Sequence, residues 1–326
     1  MQLWDIKSEL PYSVGGRFQR DHNGLEVWVA TLKKRWILDG GIWVEDSECV
    51  EILDNPLYLN EPGLSPVISD HDFAIYKKNT DVVIHGKAKT FKKEPCVELI
   101  CRLFVDKHID KQIKVVGHRE WVVQSGSIIP SMPLRFITSE IDYTCALGGH
   151  DERNRLGCGV GENMADLQTQ NVPSMFNVDE DWSLNSKKIG VVGFGALPTF
   201  FQQRYCLAGS FDDAWINSRR PLLPIDFDTA FYQTSPVDQQ CSGFLMGGER
   251  ISLSGFSHEG VMTFILPKQC YEAKVRYSDD IVNTEIMDLH TLFFDTEKGT
   301  VSATFTASFP CQGREHMLIS TLINKR

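Results

Sequence analysis

Turn signals between short apolar runs constrain the fold of this chain most. Residues 35–38 are strand-like and lead into Asp39-Gly40, and the strand-like residues 41–44 follow. An Asp-Gly pair between two apolar runs is typical of a β-hairpin, because the tight turn needs positive φ angles. Near the other end of the chain, residues 257–260 and residues 295–299 each separate two further strand-like runs. The sequence therefore predicts β-hairpins at both ends.

The centre of the chain has a different character. Residues 148–186 are rich in Gly, Asn and Asp, and their apolar residues follow no clear period, which predicts a long irregular connection. Two short helices are predicted after it, one capped at Ser210 with Asp213 at N3, the other running from Ser235-Pro236 to Gly243. The predicted fold class is mainly β, with antiparallel sandwich-like or barrel-like sheets, a long loop-rich centre and a few short helices.

The length and composition are those of an ordinary globular protein. With 326 residues, of which 42% are hydrophobic and 23% charged, the chain can bury a proper core. We expect a single domain over residues 1–326. Within it we expect a β-rich N-terminal part at 1–147, a loop-rich centre at 148–249 and C-terminal β-hairpins at 250–326.

Charge and cysteine content exclude several classes of partner and compartment. The formal net charge is -10 and the longest basic cluster is Lys33-Lys34-Arg35, so we expect no binding to nucleic acid. No window approaches the roughly 20 apolar residues of a membrane helix, so membrane insertion is not expected. Nine scattered cysteines without a CxxC pair, and an N-terminus unlike a signal peptide, favour a reducing, cytoplasmic location.

One glycine-rich stretch is similar to a dinucleotide-binding turn. Residues 189–192 form an apolar, strand-like run that leads into Gly193 and Gly195, and such glycines let a backbone approach a pyrophosphate closely. However, Pro198 replaces the third glycine, and no alternating strand–helix pattern surrounds the motif. The alternative is a glycine-rich bend at the end of a strand.

The remaining motifs do not predict catalysis or metal binding. The turn around Ser257 is unlike a nucleophile elbow, because Glu259 occupies a position that the elbow reserves for glycine. Cys96 and Cys101 are five residues apart, which places them on opposite faces of a regular strand. The histidines show neither HxH nor HExxH spacing. We therefore predict no catalytic residues, no cofactor and no metal.

The most unusual stretch runs from residue 215 to residue 228, where two Arg, two Pro and two Asp lie among large apolar residues. Arginine pairs bidentately with carboxylates, and such pairs hold irregular backbone in one shape. We expect Arg219, Arg220, Asp226 and Asp228 to form such a network, which would be either a rigid recognition surface or a purely structural element. If Arg220 is buried and paired, replacing it with Ala should cost roughly a few kcal/mol.

Several stretches in order along residues 15–270 resemble a bacterial domain-of-unknown-function family encoded beside type VI secretion genes, sometimes fused to pentapeptide repeats. The matching stretches are residues 81–86, 116–121, 132–136, 146–149, 154–159, 193–198, 209–212, Trp215, 220–224, 226–228 and 238–240. One departure is His118, where the family usually has Asp.

This resemblance implies a non-enzymatic adaptor or chaperone. Such a protein binds a type VI secretion effector toxin and helps to load it onto the VgrG/PAAR-type spike protein. We expect residues 148–186 to face the partner. The alternatives are a dinucleotide-dependent enzyme at Gly193 and Gly195, or a structural scaffold subunit of the secretion apparatus. The candidate structural or recognition residues are Arg119, Trp121, Asn154, Asp212, Trp215, Arg219, Arg220, Asp226 and Asp228.

Overall fold

The chain folds mainly into β-strands. The structure is a computed structural model that describes residues 4–39, 42–46, 48–180 and 188–326. Strands account for 42% and helices for 10%, which confirms the predicted mainly-β class with its few short helices. None of the described helices is both long and apolar enough to cross a membrane.

The strands, numbered along the chain, are β1 (Asp5–Ser8), β2 (Ser13–Arg20), β3 (Glu26–Asp39), β4 (Ile42–Glu45), β5 (Leu57–Tyr58), β6 (Val67–Ser69), β7 (Asp81–His85), β8 (Lys87–Lys89), β9 (Glu98–Val105), β10 (Ile109–Val116), β11 (Trp121–Gln124), β12 (Ser127–Pro130), β13 (Thr138–Glu140), β14 (Leu147–Gly149), β15 (Cys158–Val160), β16 (Met175–Asn177), β17 (Arg250–Ser254), β18 (Met262–Ile265), β19 (Tyr271–Tyr277), β20 (Val282–Ile286), β21 (Asp288–Asp295), β22 (Thr300–Pro310) and β23 (Leu318–Lys325). The α-helices are α1 (Met164–Thr169), α2 (Gln202–Tyr205) and α3 (Asp213–Ser218). One-turn 3-10 helices lie at Phe91–Lys93, Tyr143–Cys145, Thr229–Tyr232, Val237–Gln239 and Glu315–Met317.

In the described part of the chain, three open sheets of four or more strands surround one core. The largest has the order β2-β3-β22-β21-β7 with β4 attached to β3, and the others are β16-β10-β9-β17-β18 and β1-β23-β19-β20. Trp36 of β3, Leu103 of β9 and Tyr271 of β19 are buried in the same cluster. Burying a large apolar side chain contributes about 1.5–3 kcal/mol, so this shared core holds the sheets together.

The predicted hairpins are confirmed. Strands β3 and β4 pair antiparallel with Asp39 opposite Ile42, and the pairs β17–β18 and β21–β22 are likewise antiparallel. Among the described strands, three pairs are parallel: β1 with β23, β7 with β21, and β14 with β15. Strands from the beginning and the end of the chain therefore share sheets.

The predicted irregular centre is only partly irregular. Strand β15 pairs with β14, helix α1 begins after the Asn163 cap, and β16 joins the edge of the β10 sheet. Strands of three residues are too short to show a period in the sequence, so the prediction missed them. Residues 181–187 lie outside the described part of the chain.

Both predicted helix starts were wrong. Asp212, not Ser210, caps α3, because the Asp212 carboxylate accepts a hydrogen bond from the Trp215 amide at 2.9 Å. After Pro236 the chain makes only the single turn Val237–Gln239, since the hydroxyl of Ser235 bonds the carboxylate of Asp81 instead of capping a helix.

The strand expected before Gly193 is also absent. Residues 188–195 contain no strand, and only Ala196 forms an isolated bridge, to Val67. The Phe194 carbonyl nevertheless accepts a hydrogen bond from the amide of Ile84 in β7 at 2.9 Å. The stretch is therefore a glycine-rich bend packed along the edge of β7.

Candidate functional site

The arginine- and aspartate-rich segment holds its shape mainly through backbone carbonyls. The indole N–H of Trp215 donates to the Leu222 carbonyl at 2.7 Å. The guanidinium of Arg219 donates to the carbonyl of Leu223 at 2.8 Å and to that of His22, in the turn between β2 and β3. Arg219 therefore ties this segment to the end of the largest sheet.

The expected Arg–Asp network does not form. Within the described part of the chain, neither Arg219 nor Arg220 forms an ion pair with Asp226 or Asp228. Asp226 instead accepts from the backbone and hydroxyl of Ser210, at 3.0 and 2.8 Å. Asp228 caps the turn Thr229–Tyr232. The Arg220 side chain is exposed, so the premise for a large effect of Arg220→Ala fails.

Asn154 is a buried structural residue. Its amide donates to the carbonyls of Tyr143 and Leu147 at 2.8 and 3.1 Å, and its side-chain oxygen accepts from the Leu156 amide. All of these bonds satisfy local backbone, and the side chain is fully enclosed. Asn154 therefore shapes the turn between β14 and β15 and contacts no open site.

Arg119 and Trp121 lie at the base of a protruding hairpin formed by residues 117–134. The two arms pair from Trp121 opposite Pro130 to Gln124 opposite Ser127. Further backbone bonds extend the pairing toward the base of the hairpin. The guanidinium of Arg119 donates to the Pro173 carbonyl at 2.6 Å and lies over the Phe176 ring at 5.4 Å. The base of the hairpin is thus anchored to the neighbourhood of β16.

Beyond its base, the 117–134 hairpin is apolar and exposed. No charged residue occurs from residue 121 to residue 134. Val123 is 60% exposed, Met132 86% and Leu134 63%. Val122 and Val123 point to opposite faces because neighbouring strand residues alternate, so both faces present apolar groups to water. This exposed apolar surface is the feature of the hairpin that bears on function.

An open groove of about 450 Å³ lies beside the glycine-rich bend. Buried apolar residues form its floor, and ionisable side chains stand at its rim. We call it the Tyr143 groove; it is lined by Leu59, Asn60, Pro66, Val67, Ile68, Ile84, His85, Gly86, Lys87, Glu140, Ile141, Asp142, Tyr143, Gly195 and Glu297.

Tyr143 explains the two glycines of the bend. A Cβ on Gly193 would lie 2.5 Å from the Tyr143 ring, so only glycine fits there. At Gly195 a Cβ would lie 3.8 Å from the same ring, which is ordinary contact, and the Tyr143 hydroxyl donates to the Gly195 carbonyl at 3.2 Å. Gly193 therefore accommodates an aromatic ring, whereas a dinucleotide turn would keep that space open for phosphate.

A saturated polar cluster lies deep under the glycine-rich bend. The Lys77 ammonium is 2.6 Å from the Asp81 carboxylate, and both side chains are buried. Gln233, Thr234 and Ser235 also donate hydrogen bonds to Asp81. We call these five residues the Asp81 cluster. It fastens residues 233–235 to the first residue of β7.

Electrostatics keep this cluster charged although it is sealed from water. Burial by itself would raise the pKa of the Asp81 carboxyl, but the Lys77 ammonium and the hydrogen bonds outweigh burial, so the pKa lies below its usual value. Nearby, burial lowers the pKa of His290 to about 3, with a further contribution from Lys77. Because these groups are enclosed, the cluster has a structural role and no access for a substrate.

The described residues offer no metal centre. Across residues 4–39, 42–46, 48–180 and 188–326, no group of three or more His, Cys, Asp or Glu side chains is placed to hold a metal ion.

Sequence reasoning selected Arg119 and Trp121 but missed the exposed part of the hairpin and the Tyr143 groove. The uncharged run from residue 121 to residue 134 could have predicted an unusual apolar surface on the hairpin. The sequence contains no such signal for the groove, because its lining comes from six separate segments of the chain.

A family model covers most of the chain and all of these features. The model, described as an uncharacterized protein conserved in bacteria (DUF2169), matches residues 23–306. The chain belongs to this family. The DUF2169 match includes the 117–134 hairpin, the Tyr143 groove and the Asp81 cluster, and it ends before β23. Comparisons with curated proteins and with solved structures gave no match.

Proposed function

We propose that this DUF2169 protein is a non-enzymatic adaptor or chaperone of the bacterial cytoplasm. Its client is a type VI secretion effector, which it helps to load onto the VgrG/PAAR-type spike. The observation that carries the protein-binding part is the exposed, uncharged 117–134 hairpin. The secretion context rests on the family resemblance described above.

The hairpin has two features that suit it to bind an extended polypeptide. Strands β11 and β12 form a sheet of their own, so among the described strands neither has a second neighbour. An unpaired edge offers backbone donors and acceptors to an added strand, and apolar side chains on both faces supply contact area. Soluble proteins normally protect such edges with charges, and here residues 121–134 contain none.

The rigid base makes this surface suitable for recognition. Arg119 fixes the start of the hairpin on Phe176 and the Pro173 carbonyl. The turn at Ser125 and Gly126 has positive φ at both residues, 50° and 79°, as tight two-residue hairpin turns require. A surface held in its binding shape loses less conformational freedom on binding, which favours affinity.

The test is capture of purified, tagged products of the genes adjacent to the gene for this chain. Val123→Glu combined with Met132→Glu should reduce client retention at least tenfold, because it places two charges on the apolar surface. The matched control is Ile225→Glu combined with Val237→Glu, since both residues are apolar and exposed, at 84% and 79%, but lie outside the hairpin. Equal loss in both variants, or no binding to any neighbouring product, would count against the proposal.

Two other outcomes would replace the proposal. A thermal shift with nicotinamide or flavin dinucleotides that Gly195→Val abolishes would favour the enzyme alternative. Stoichiometric incorporation into the secretion apparatus without a client would favour a scaffold subunit. We expect neither result.

A further inference from the structure

The Tyr143 groove is a second candidate contact site, and it shares no residue with the 117–134 hairpin. Its floor includes Val67, Ile84 and Ile141, all buried. Its volume of about 450 Å³ lies within the range typical of ligand clefts. An apolar floor with a few polar groups at the rim selects an occupant that is itself apolar along its length and polar at one end.

Carboxylates outnumber ammonium groups at the rim. Glu140, Asp142 and Glu297 line the groove together with Lys87. Lys87 pairs with Glu140, and Lys89, which stands outside the lining, pairs with Glu297 at 2.8 Å. One carboxylate, that of Asp142, therefore has no cationic partner within the described part of the chain.

Asp142 keeps part of its bonding capacity. Its Oδ1 accepts hydrogen bonds from both the amide and the hydroxyl of Thr144. No described residue bonds its Oδ2. The negative field also reaches Cys145: burial raises the pKa of this thiol to about 11, and Asp142 and Glu140 contribute to the increase. The charge at this end of the groove complements a cation.

We infer that the Tyr143 groove binds a lysine or arginine side chain, with an adjoining apolar residue, from a segment of the client polypeptide. The aliphatic stem of such a side chain packs against the apolar floor while its charged end reaches the rim. This inference deepens the proposed function, because it names the chemistry of one client segment.

The test uses three synthetic tripeptides with blocked ends: Leu-Lys-Leu, the same peptide with norleucine for lysine, and the same peptide with glutamate. Binding to the full chain is followed by NMR chemical shifts. We expect the lysine peptide to bind at least threefold more tightly than the norleucine peptide and at least tenfold more tightly than the glutamate peptide. Equal binding of all three would overturn the inference.

Variants locate the site. Gly195→Val should weaken binding of the lysine peptide at least tenfold, because the valine side chain enters the groove. The Cβ of this valine lies 3.8 Å from the Tyr143 ring, which is ordinary contact, so the fold can accept it. Asp142→Asn removes the rim carboxylate that has no cationic partner among the described residues, but it keeps an oxygen for the two bonds from Thr144. It should weaken binding of the lysine peptide at least threefold and binding of the norleucine peptide less, and this test holds even if Gly195→Val fails to fold. Glu152→Gln, which removes an exposed carboxylate outside the groove, is the charge-matched control and should leave binding unchanged.

The outcomes separate the two proposals. Client capture with no lysine preference in the peptides would overturn the groove inference and leave the hairpin proposal standing. A lysine preference lost in Gly195→Val, without capture of any neighbouring gene product, would support the groove and count against the adaptor. Tighter binding of free cadaverine than of the lysine tripeptide would overturn the assignment to a polypeptide.

Discussion

The Asp81 cluster and the 117–134 hairpin reverse the usual distribution of polar and apolar groups. In the cluster, Lys77 and Asp81 are buried together and fully bonded. In the hairpin, Val123 and Met132 are exposed to water and lie in the uncharged run from residue 121 to residue 134. A buried charge that loses its partner is costly, whereas an exposed apolar residue contributes little to folding. The comparison supports a stabilising role for the cluster and leaves the hairpin free for the recognition role that we propose.

The largest expected effect comes from breaking the buried pair. Asp81→Asn keeps the shape of the side chain but leaves the Lys77 ammonium enclosed without a counter-ion. The free energy of unfolding should fall by about 3–5 kcal/mol, measured by urea denaturation. Asp226→Asn is the control, because Asp226 is an exposed carboxylate that accepts hydrogen bonds from the backbone and hydroxyl of Ser210. A loss below about 1 kcal/mol for Asp81→Asn would show that the cluster contributes little to the stability of the fold.

His290 gives the cluster a pH dependence. Its pKa is about 3 in the folded chain and near 6.5 when unfolded, so the unfolded chain binds more protons in this window and stability falls as the pH drops below about 6.5. Between pH 7.5 and pH 5 this group should account for about 2 kcal/mol of lost stability. In His290→Asn, the fall in the free energy of unfolding between pH 7.5 and pH 5 should be smaller by this amount. Urea unfolding curves recorded at the two pH values measure the difference. The exposed His118 serves as control, since His118→Asn should keep the wild-type loss.

A smaller and more local effect is expected at the base of the hairpin. Arg119→Ala removes the bond to Pro173 and the contact with Phe176. The hairpin should then open more easily, by about 1 kcal/mol, so that amide exchange at Val122 and Val123 becomes several-fold faster while β3 and β22 stay protected. Arg155→Ala, at an exposed arginine, is the control. Uniform acceleration over the whole chain would show that Arg119 supports the core instead.

The smallest effect is expected at the exposed apolar surface. Val123→Glu should change the free energy of unfolding by no more than about 0.5 kcal/mol, because the side chain makes little contact in the folded chain. Arg220→Ala, at another exposed position, should behave in the same way. Loss of more than about 1 kcal/mol in Val123→Glu would mean that the hairpin is part of the packed structure, and the comparison above would fail.

The sequence predicted features that depend on neighbouring residues. The Asp39-Gly40 turn and the turn signals at residues 257–260 and 295–299 were sufficient for the hairpins and the mainly-β class. The Asp81 cluster could not be predicted, because Gln233, Thr234 and Ser235 reach Asp81 from more than 150 positions away. The charged residues near Arg220 are close in sequence, which suggested an Arg–Asp network. In the structure Asp226 accepts a hydrogen bond from the hydroxyl of Ser210 instead. A sequence shows which residues are uncharged but does not show which of them stay exposed.

Hydrogen exchange of the chain alone and in complex with the proposed client, a purified product of a neighbouring gene, tests the central claim most directly. If the 117–134 hairpin is the recognition surface, protection gained on binding should be strongest at residues 121–134, with no gain at residues 205–228. Protection concentrated at residues 205–228, with the hairpin amides exchanging as in the free chain, would contradict the account.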